Sequence, residues 1–239
     1  MKILATTFVY NERPYLPYWA EYYKSQGCDL FVLDNESDDG TYEWLIENGI
    51  PCARYETGGS FHLHKLQDEL LKHIKRINPD WVCYAGADLY QIMGRNISEV
   101  IREMDKIGYN QIALKCLNVV STGERHGVPL QKHYFRGGFY RDLIMIAKYV
   151  DGFQIRNDHI GVSNGNAAKV PGVTVNYGGC KTKKEQDAKL KRREKAWKEG
   201  LPQNIGKHFR RNKQMNWHTP ITNTINIRAI PEWEFIKKI

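Results

Sequence analysis

The chain has 239 residues, 41% of them hydrophobic and 12% aromatic, with a formal net charge of +8. That length suits one large domain, or one domain with a tail, and the composition supports a real core and argues against disorder. The longest aliphatic run, residues 143–147, is far too short for a membrane span, and residues 2–7 read as a strand and not as a signal peptide. The five cysteines (Cys28, Cys52, Cys83, Cys116 and Cys180) are widely spaced and form no CxxC pair. They point to buried thiols in a reducing compartment, so a cytoplasmic location is expected.

Strands and helices alternate through the first half. Residues 2–9 are a strand candidate, and 14–26 a helix with Leu16, Trp19, Ala20 and Tyr23 at i, i+3, i+4 and i+7. Pro14 fits its first turn and Gly27 closes it. A strand over 30–34, a short helix over 41–48 and a strand over 51–55 follow. Residues 61–77 form an amphipathic helix through Leu63, Leu66, Leu70, Ile74 and Ile77, stopped by Asn78-Pro79. A strand over 81–84, a helix over 97–107 and a strand over 111–119 complete a βαβ succession. This implies a mainly parallel sheet flanked by helices.

Beyond residue 120 the pattern loosens. Residues 121–138 read as a long polar loop, 143–149 and 173–177 as strands, and 183–198 as a helix. That helix offers only Ala188, Leu190 and Trp197 as apolar residues, so it packs weakly or serves a ligand. The last forty residues show no period and are expected to wrap the core. Residues 1–120 and 121–239 are read as two halves of a single domain.

The net charge is local. Residues 181–213 hold 13 Lys or Arg against 4 Asp or Glu, which accounts for the whole surplus. Such a block suits a polyphosphate ligand, nucleic acid or an anionic membrane surface, or is a solvated helix face. No nucleic-acid motif accompanies it, and no GxxxxGK[ST] or GxGxxG follows the first strand.

The strand ends carry the chemistry. Phe8, Tyr10, Asn11 and Glu12 follow the first strand, Asp34 and Asn35 open FVLDNESDDGT after the second, and Gly86-Ala87-Asp88 follows the fourth. In open α/β sheets these ends line the ligand crevice. Asp38 and Asp39 read equally well as helix-start residues.

With YNE, VLDNESDDGT and the acidic turn after the fourth strand, the chain resembles the GT-A glycosyltransferases of the family 2-like group, over about residues 1–120. The resemblance implies a Rossmann-like nucleotide-diphospho-sugar transferase fold with a C-terminal extension. It also implies transfer of a sugar from a nucleotide-diphosphate donor to a hydroxyl acceptor, with inversion. Asp34 then contacts the base or ribose and Tyr10 flanks the base. Phe8, Glu12, Asn35, Lys65, Ala87, Asp88, Arg136 and Lys181 complete the donor site.

Most relatives carry Asp-x-Asp where this chain has Gly86-Ala87-Asp88. The resemblance therefore implies Mn²⁺ or Mg²⁺ on Asp88, with His208 as a late ligand, while fixed Lys and Arg residues compete for the same task. Asp158 is the first candidate for general base, with Asp142 and Asp151 as rivals. Arg125, Lys132, His133, Arg136 and the turn through Gly178-Gly179-Lys181, with Lys183, are candidates for the diphosphate. Trp197, Trp217 and Trp233 are candidates for sugar stacking. The alternatives are a non-catalytic nucleotide- or glycan-binding protein with a degenerate motif, or a nucleic-acid-binding module centred on 181–213.

Overall fold

The computed structural model describes residues 1–121, 135–156, 159–179, 181–199 and 225–226. Strands β1 (Ile3–Val9), β2 (Asp29–Asp34), β3 (Cys52–Arg54) and β4 (Trp81–Tyr84) are joined by helices α1 (Leu16–Ser25), α2 (Thr41–Glu47) and α3 (Leu63–Ile77). They pair in parallel in the order β3-β2-β1-β4. The chain then runs through β5 (Leu89–Ile92), α4 (Ile97–Lys106), β6 (Gln111–Ser121) and β7 (Phe135–Lys148). A small hairpin of β8 (Phe153–Arg156) and β9 (His159–Val162) precedes β10 (Ala167–Gly179), α5 (Lys183–Lys198) and β11 (Ile225–Asn226).

The sheet has nine strands and continues from β4 through β7, β6 and β10 to β5, with β11 beside β7. The architecture is thus α/β and Rossmann-like, as the resemblance implies. Its first half is wholly parallel, whereas β7 runs antiparallel to both neighbours on the main path. Strands from both halves of the chain share this one sheet.

Pleating divides β1 between two cores. Ile3 and Ala5 face α1 and α4, with Trp19, Tyr23, Ile97 and Ile101. Leu4 faces α3, with Leu66, Leu70 and Ile74. A strand buried on both faces reads as a continuous apolar run, which is why ILATTFV carries no alternation. Gly27 ends α1 at φ +77, and a Cβ there would stand 2.9 Å from the Ser98 hydroxyl, so glycine is required on two grounds.

Four strands have no counterpart in the sequence pattern, among them the two-residue β11. β5, β8 and β9 have four residues each, too few to display a period. β7 and β10 are also much longer than expected. Gly178-Gly179, expected as a turn, ends β10 instead. The residue 121–138 loop is in part strand, since β7 begins at Phe135. Among the described residues no helix is long and apolar enough to cross a membrane.

Candidate functional site

In an open parallel sheet the ligand crevice lies outside the C-terminal strand ends, where the strand order reverses. Here β1 pairs with both β2 and β4, so the reversal falls between β1 and β4. Glu12 follows β1 and Asp88 follows β4. One ammonium, that of Lys181, joins them: it donates to Glu12 Oε1 and lies 3.1 Å from Asp88 Oδ2. The same ammonium sits 4.9 Å from the centre of the Tyr15 ring. Lys181 is only 4% exposed and Glu12 only 7%.

The backbone explains how these groups meet. Tyr15 and Leu16 donate to the Glu12 carbonyl, which starts the turn into α1 and leaves the carboxylate free to point across the strand ends. The Tyr177 amide donates to the Asp88 carbonyl at 2.8 Å, so β10 delivers the following segment, with Lys181, beside β4. Gly178 keeps the approach open: a Cβ there would lie 3.3 Å from Asp88 Oδ2. At Gly86 a Cβ would come within 2.9 Å of Asp88 Oδ1.

Protonation follows from this packing. Burial works against the Asp88 charge, but Lys181, with Lys189 behind it, outweighs burial and holds the carboxyl well below its usual range. For Glu12 burial wins over Lys181, and its carboxyl is pushed up. Lys181 is held protonated by Asp88 and Glu12 in spite of its burial. Lys189 is pushed down, first by the neighbouring Lys181 charge and then by burial. Glu12 Oε2 has no hydrogen-bond partner among the described residues.

α5 crosses the rest of the crevice. It opens with a capping box: the Thr182 amide and hydroxyl each lie 2.6 Å from Glu185 Oε2, and the Glu185 amide donates back to the Thr182 hydroxyl. Glu185 also accepts from the Tyr15 hydroxyl at 3.2 Å. Two turns along, Arg192 is 7% exposed and donates to the Asn35 side chain at 2.7 Å, the Asn35 carbonyl at 3.2 Å and the Ser60 carbonyl at 3.3 Å. It pairs with Glu36 at 3.3 Å and lies 3.7 Å over the Tyr10 ring. Lys195 donates to the Gly58 carbonyl, and Glu199 meets His62 at 2.9 Å.

The acidic run after β2 is largely structural. Asn11 donates to Asp38 at 2.6 Å, the Arg13 amide to Asp39 at 3.1 Å, and the Thr41 amide to Asp39 at 3.0 Å. Asp38 and Asp39 thus tie the β1 and β2 loops together and start α2. Asp34 is 0% exposed. Its Oδ2 accepts from the Ser37 amide at 3.2 Å and faces Arg54 at 3.6 Å, while Oδ1 has no partner among the described residues. Burial pushes its carboxyl up.

The expected donor residues therefore separate. Tyr10, Glu12, Asn35, Asp88 and Lys181 lie along the C-terminal strand ends, Glu12 and Asp88 joined by Lys181 and Tyr10 and Asn35 by Arg192. Asp34 lies behind that edge and not on its surface. Asn35 is buried, and its amide is already committed to Tyr55 and Thr57. Phe8 packs against Phe61 and Tyr84 in the core, and Ala87 is buried in the opposite core. Lys65 is an exposed residue of the first turn of α3. Arg136 lies in β7, where its backbone pairs with Val120 and Asn226.

Asp158, His208, Arg125, Lys132, His133, Trp217 and Trp233 lie outside the described residues, as does most of the C-terminal tail. Of the rival bases, Asp142 is exposed and paired with Lys169 at 2.8 Å, and Asp151 is exposed in the turn before β8.

A divalent cation needs several hard oxygen donors. Gly86 supplies none, and Glu12 and Asp88 already share an ammonium. Among the described residues no group of three or more His, Cys, Asp or Glu is placed to hold a metal. The donor set that the described residues present at this edge does not fit Mn²⁺ or Mg²⁺.

No protein-family model and no curated protein matches the chain. Among solved structures, S. aureus TarS superposes at TM-score 0.42 with 17% identity, covering 52% of this chain and 23% of its own. TarS 1-349 in complex with UDP-GlcNAc gives 0.39 at 16% identity, over 52% and 36%. HddC from Yersinia pseudotuberculosis, complexed with GMP-PN, gives 0.40 at 10% identity, over 79% of this chain and 98% of its own. The chain thus spans about a quarter to two fifths of the TarS chains it matches.

Proposed function

We propose that this chain is a glycosyltransferase that moves a sugar from a nucleotide-diphosphate sugar to a hydroxyl acceptor with inversion. The observation that carries the reading is the meeting of Glu12, Asp88 and Lys181 at the β1/β4 reversal point, with Tyr10 and Arg192 stacked beside them. A polar, charge-rich edge at that point is where such a sheet takes a phosphorylated ligand. The Tyr10–Arg192 pair is a planar platform suited to a base.

In the reaction the acceptor oxygen attacks the anomeric carbon, and its proton passes to a carboxylate base. The bond from that carbon to the diphosphate oxygen breaks, and the electron pair stays on the diphosphate. Preorganised positive charge lowers the energy of that developing anion. Asp158, between β8 and β9 in sequence, is the proposed base.

Incubation with UDP-, GDP- and dTDP-linked sugars tests the reading. We expect one of them to bind and to release free nucleotide. The Tyr10→Ala protein should bind it more weakly by about 1–3 kcal/mol, the scale of base–aromatic stacking. If no nucleotide sugar binds or turns over, the reading is wrong; binding with no release identifies a non-catalytic binder instead. A nucleic-acid role is less favoured, because Lys181 and Arg192, both members of the basic block, face inward onto Glu12, Asp88 and Glu36.

A further inference from the structure

The cations of α5 are arranged for more than closing the crevice. Lys189, Arg192 and Arg193 stand at i, i+3 and i+4, so they share one face of the helix. Arg192 is committed to Asn35, Glu36 and Ser60. Lys189 and Arg193 are not: both are half-buried, and among the described residues neither is hydrogen-bonded or ion-paired to a carboxylate. Arg193 rests 5.3 Å over the Phe61 ring. Both feel the Asp88 charge, and Lys189 also feels Lys181.

Lys181 therefore bridges two carboxylates, and Lys189 and Arg193, within electrostatic reach of Asp88, have no carboxylate partner of their own among the described residues. Half-buried cations crowding one another are costly unless an anion joins them.

We propose that Lys181, Lys189 and Arg193 form a metal-independent subsite for a diphosphate, with the Lys181 ammonium standing where a divalent cation would otherwise bridge Asp88 and the ligand. The proposal rests on the donor-site reading above and specifies how that site neutralises its anion. In it, Glu12 and Asp88 hold Lys181 in place and do not touch the ligand. Lys189 and Arg193 donate to the diphosphate oxygens, which take the electron pair of the broken bond. Gly86 then has a reason: a second carboxylate at that position would compete with the diphosphate for Lys181.

Calorimetric titration of the full chain with inorganic pyrophosphate, UDP, GDP and dTDP, in EDTA and again in Mn²⁺, tests this directly. Pyrophosphate and one nucleoside diphosphate should bind in EDTA, and Mn²⁺ should change their Kd by less than about twofold. Lys189→Gln and Arg193→Gln, checked for an unchanged melting transition, should each weaken both ligands by about tenfold, the loss expected for one charge-assisted hydrogen bond. Manganese should not restore them.

Binding that appears only with Mn²⁺, or variants that bind as the wild type does, would overturn the proposal while leaving the donor-site reading intact. Pyrophosphate binding in EDTA that both variants weaken, with no response to any nucleoside diphosphate, upholds the anion subsite and removes the sugar-nucleotide reading. No binding by any of the four probes overturns both.

Discussion

Two helices cover this sheet by opposite chemistry. α3 lies on a face of the parallel half and buries Leu66, Leu70 and Ile74 against Leu4, Leu33 and Val82. α5 lies across the strand ends and turns inward Gln186, Arg192 and Ala196, with Lys189 and Arg193 half-buried beside them. α3 is held by non-directional apolar burial, which tolerates small shifts. α5 is held by hydrogen bonds and ion pairs, which fail when one partner is lost and which salt weakens. A helix of the second kind can be both structural and ligand-binding, since its anchors and its spare cations are the same residue types.

Loss of the central cation should separate the two most strongly. Lys181→Met leaves Glu12 and Asp88 buried without a counter-charge, which costs about 3–5 kcal/mol. We expect a lowered denaturation midpoint and loss of diphosphate binding together. Leu70→Ala, in the opposite core, costs about 2–5 kcal/mol. It should lower the midpoint without altering the ligand's affinity in the protein that remains folded. If Lys181→Met unfolds no more easily than wild type, the ion cluster does not anchor the β10–α5 segment.

Arg192→Ala should act more locally. It removes several hydrogen bonds to Asn35 and Ser60 and the stacking on Tyr10, worth about 3 kcal/mol on the scale of bonds to a charged group. Amide exchange should then quicken along α5 and leave α3 protected. Arg192→Lys should not rescue it, because an ammonium cannot reproduce the planar fork that serves Asn35, Glu36 and Ser60 together. Equal acceleration in α3 and α5 would mean that the two helices open as one unit.

The same contrast explains what was legible in the sequence. α3 was read within two residues of its start and at its stop, because leucines at helical spacing and Asn78-Pro79 are local signals. α5 occupies the span that the sequence predicts, 183–198, but its inward face carries no apolar signal. The usual guide is an apolar stripe, and here the stripe is written as Gln186, Lys189, Arg192, Arg193 and Ala196. The spacing was visible, as was the Thr182-x-x-Glu185 capping box, but nothing in the sequence says which carboxylates await those cations.

Asp34 shows the converse. Its place at a strand end was plain, but its complete burial depends on Ser37, Arg54 and the loops tied by Asp38 and Asp39. Those contacts are tertiary.

That burial has a pH signature. The Asp34 carboxyl is raised above its ordinary 3.8 by burial, so the folded chain holds this proton to higher pH than the unfolded chain does. Its charge therefore costs stability above the folded value, a cost relieved as pH falls toward 3.8. Glu12, raised above 4.5, acts in the same sense. Asp88 acts oppositely: its carboxyl is depressed, so its stabilisation is present above 3.8 and is lost as pH falls through the folded value. Urea unfolding of Asp34→Asn and wild type between about pH 4 and 7 should show the difference moving in the variant's favour as pH rises. A constant difference across that range would mean that Asp34 titrates normally.

The smallest effect belongs to the start of α5. The Thr182 hydroxyl and the Glu185 carboxylate satisfy each other's amides, so Thr182→Ala should cost about 1 kcal/mol, the usual scale of a lost N-cap. Glu185 would keep its contact with Tyr15, which limits the loss. Because the first turn of α5 directly follows Lys181, fraying there should also weaken diphosphate binding slightly, while Lys189→Gln weakens it through the missing donor. Calorimetry on the Thr182→Ala, Lys189→Gln and double variants separates the two. Additive losses place the cap and the cation in independent roles, whereas a double variant no worse than Lys189→Gln shows that the cap acts only by holding the cation face in position.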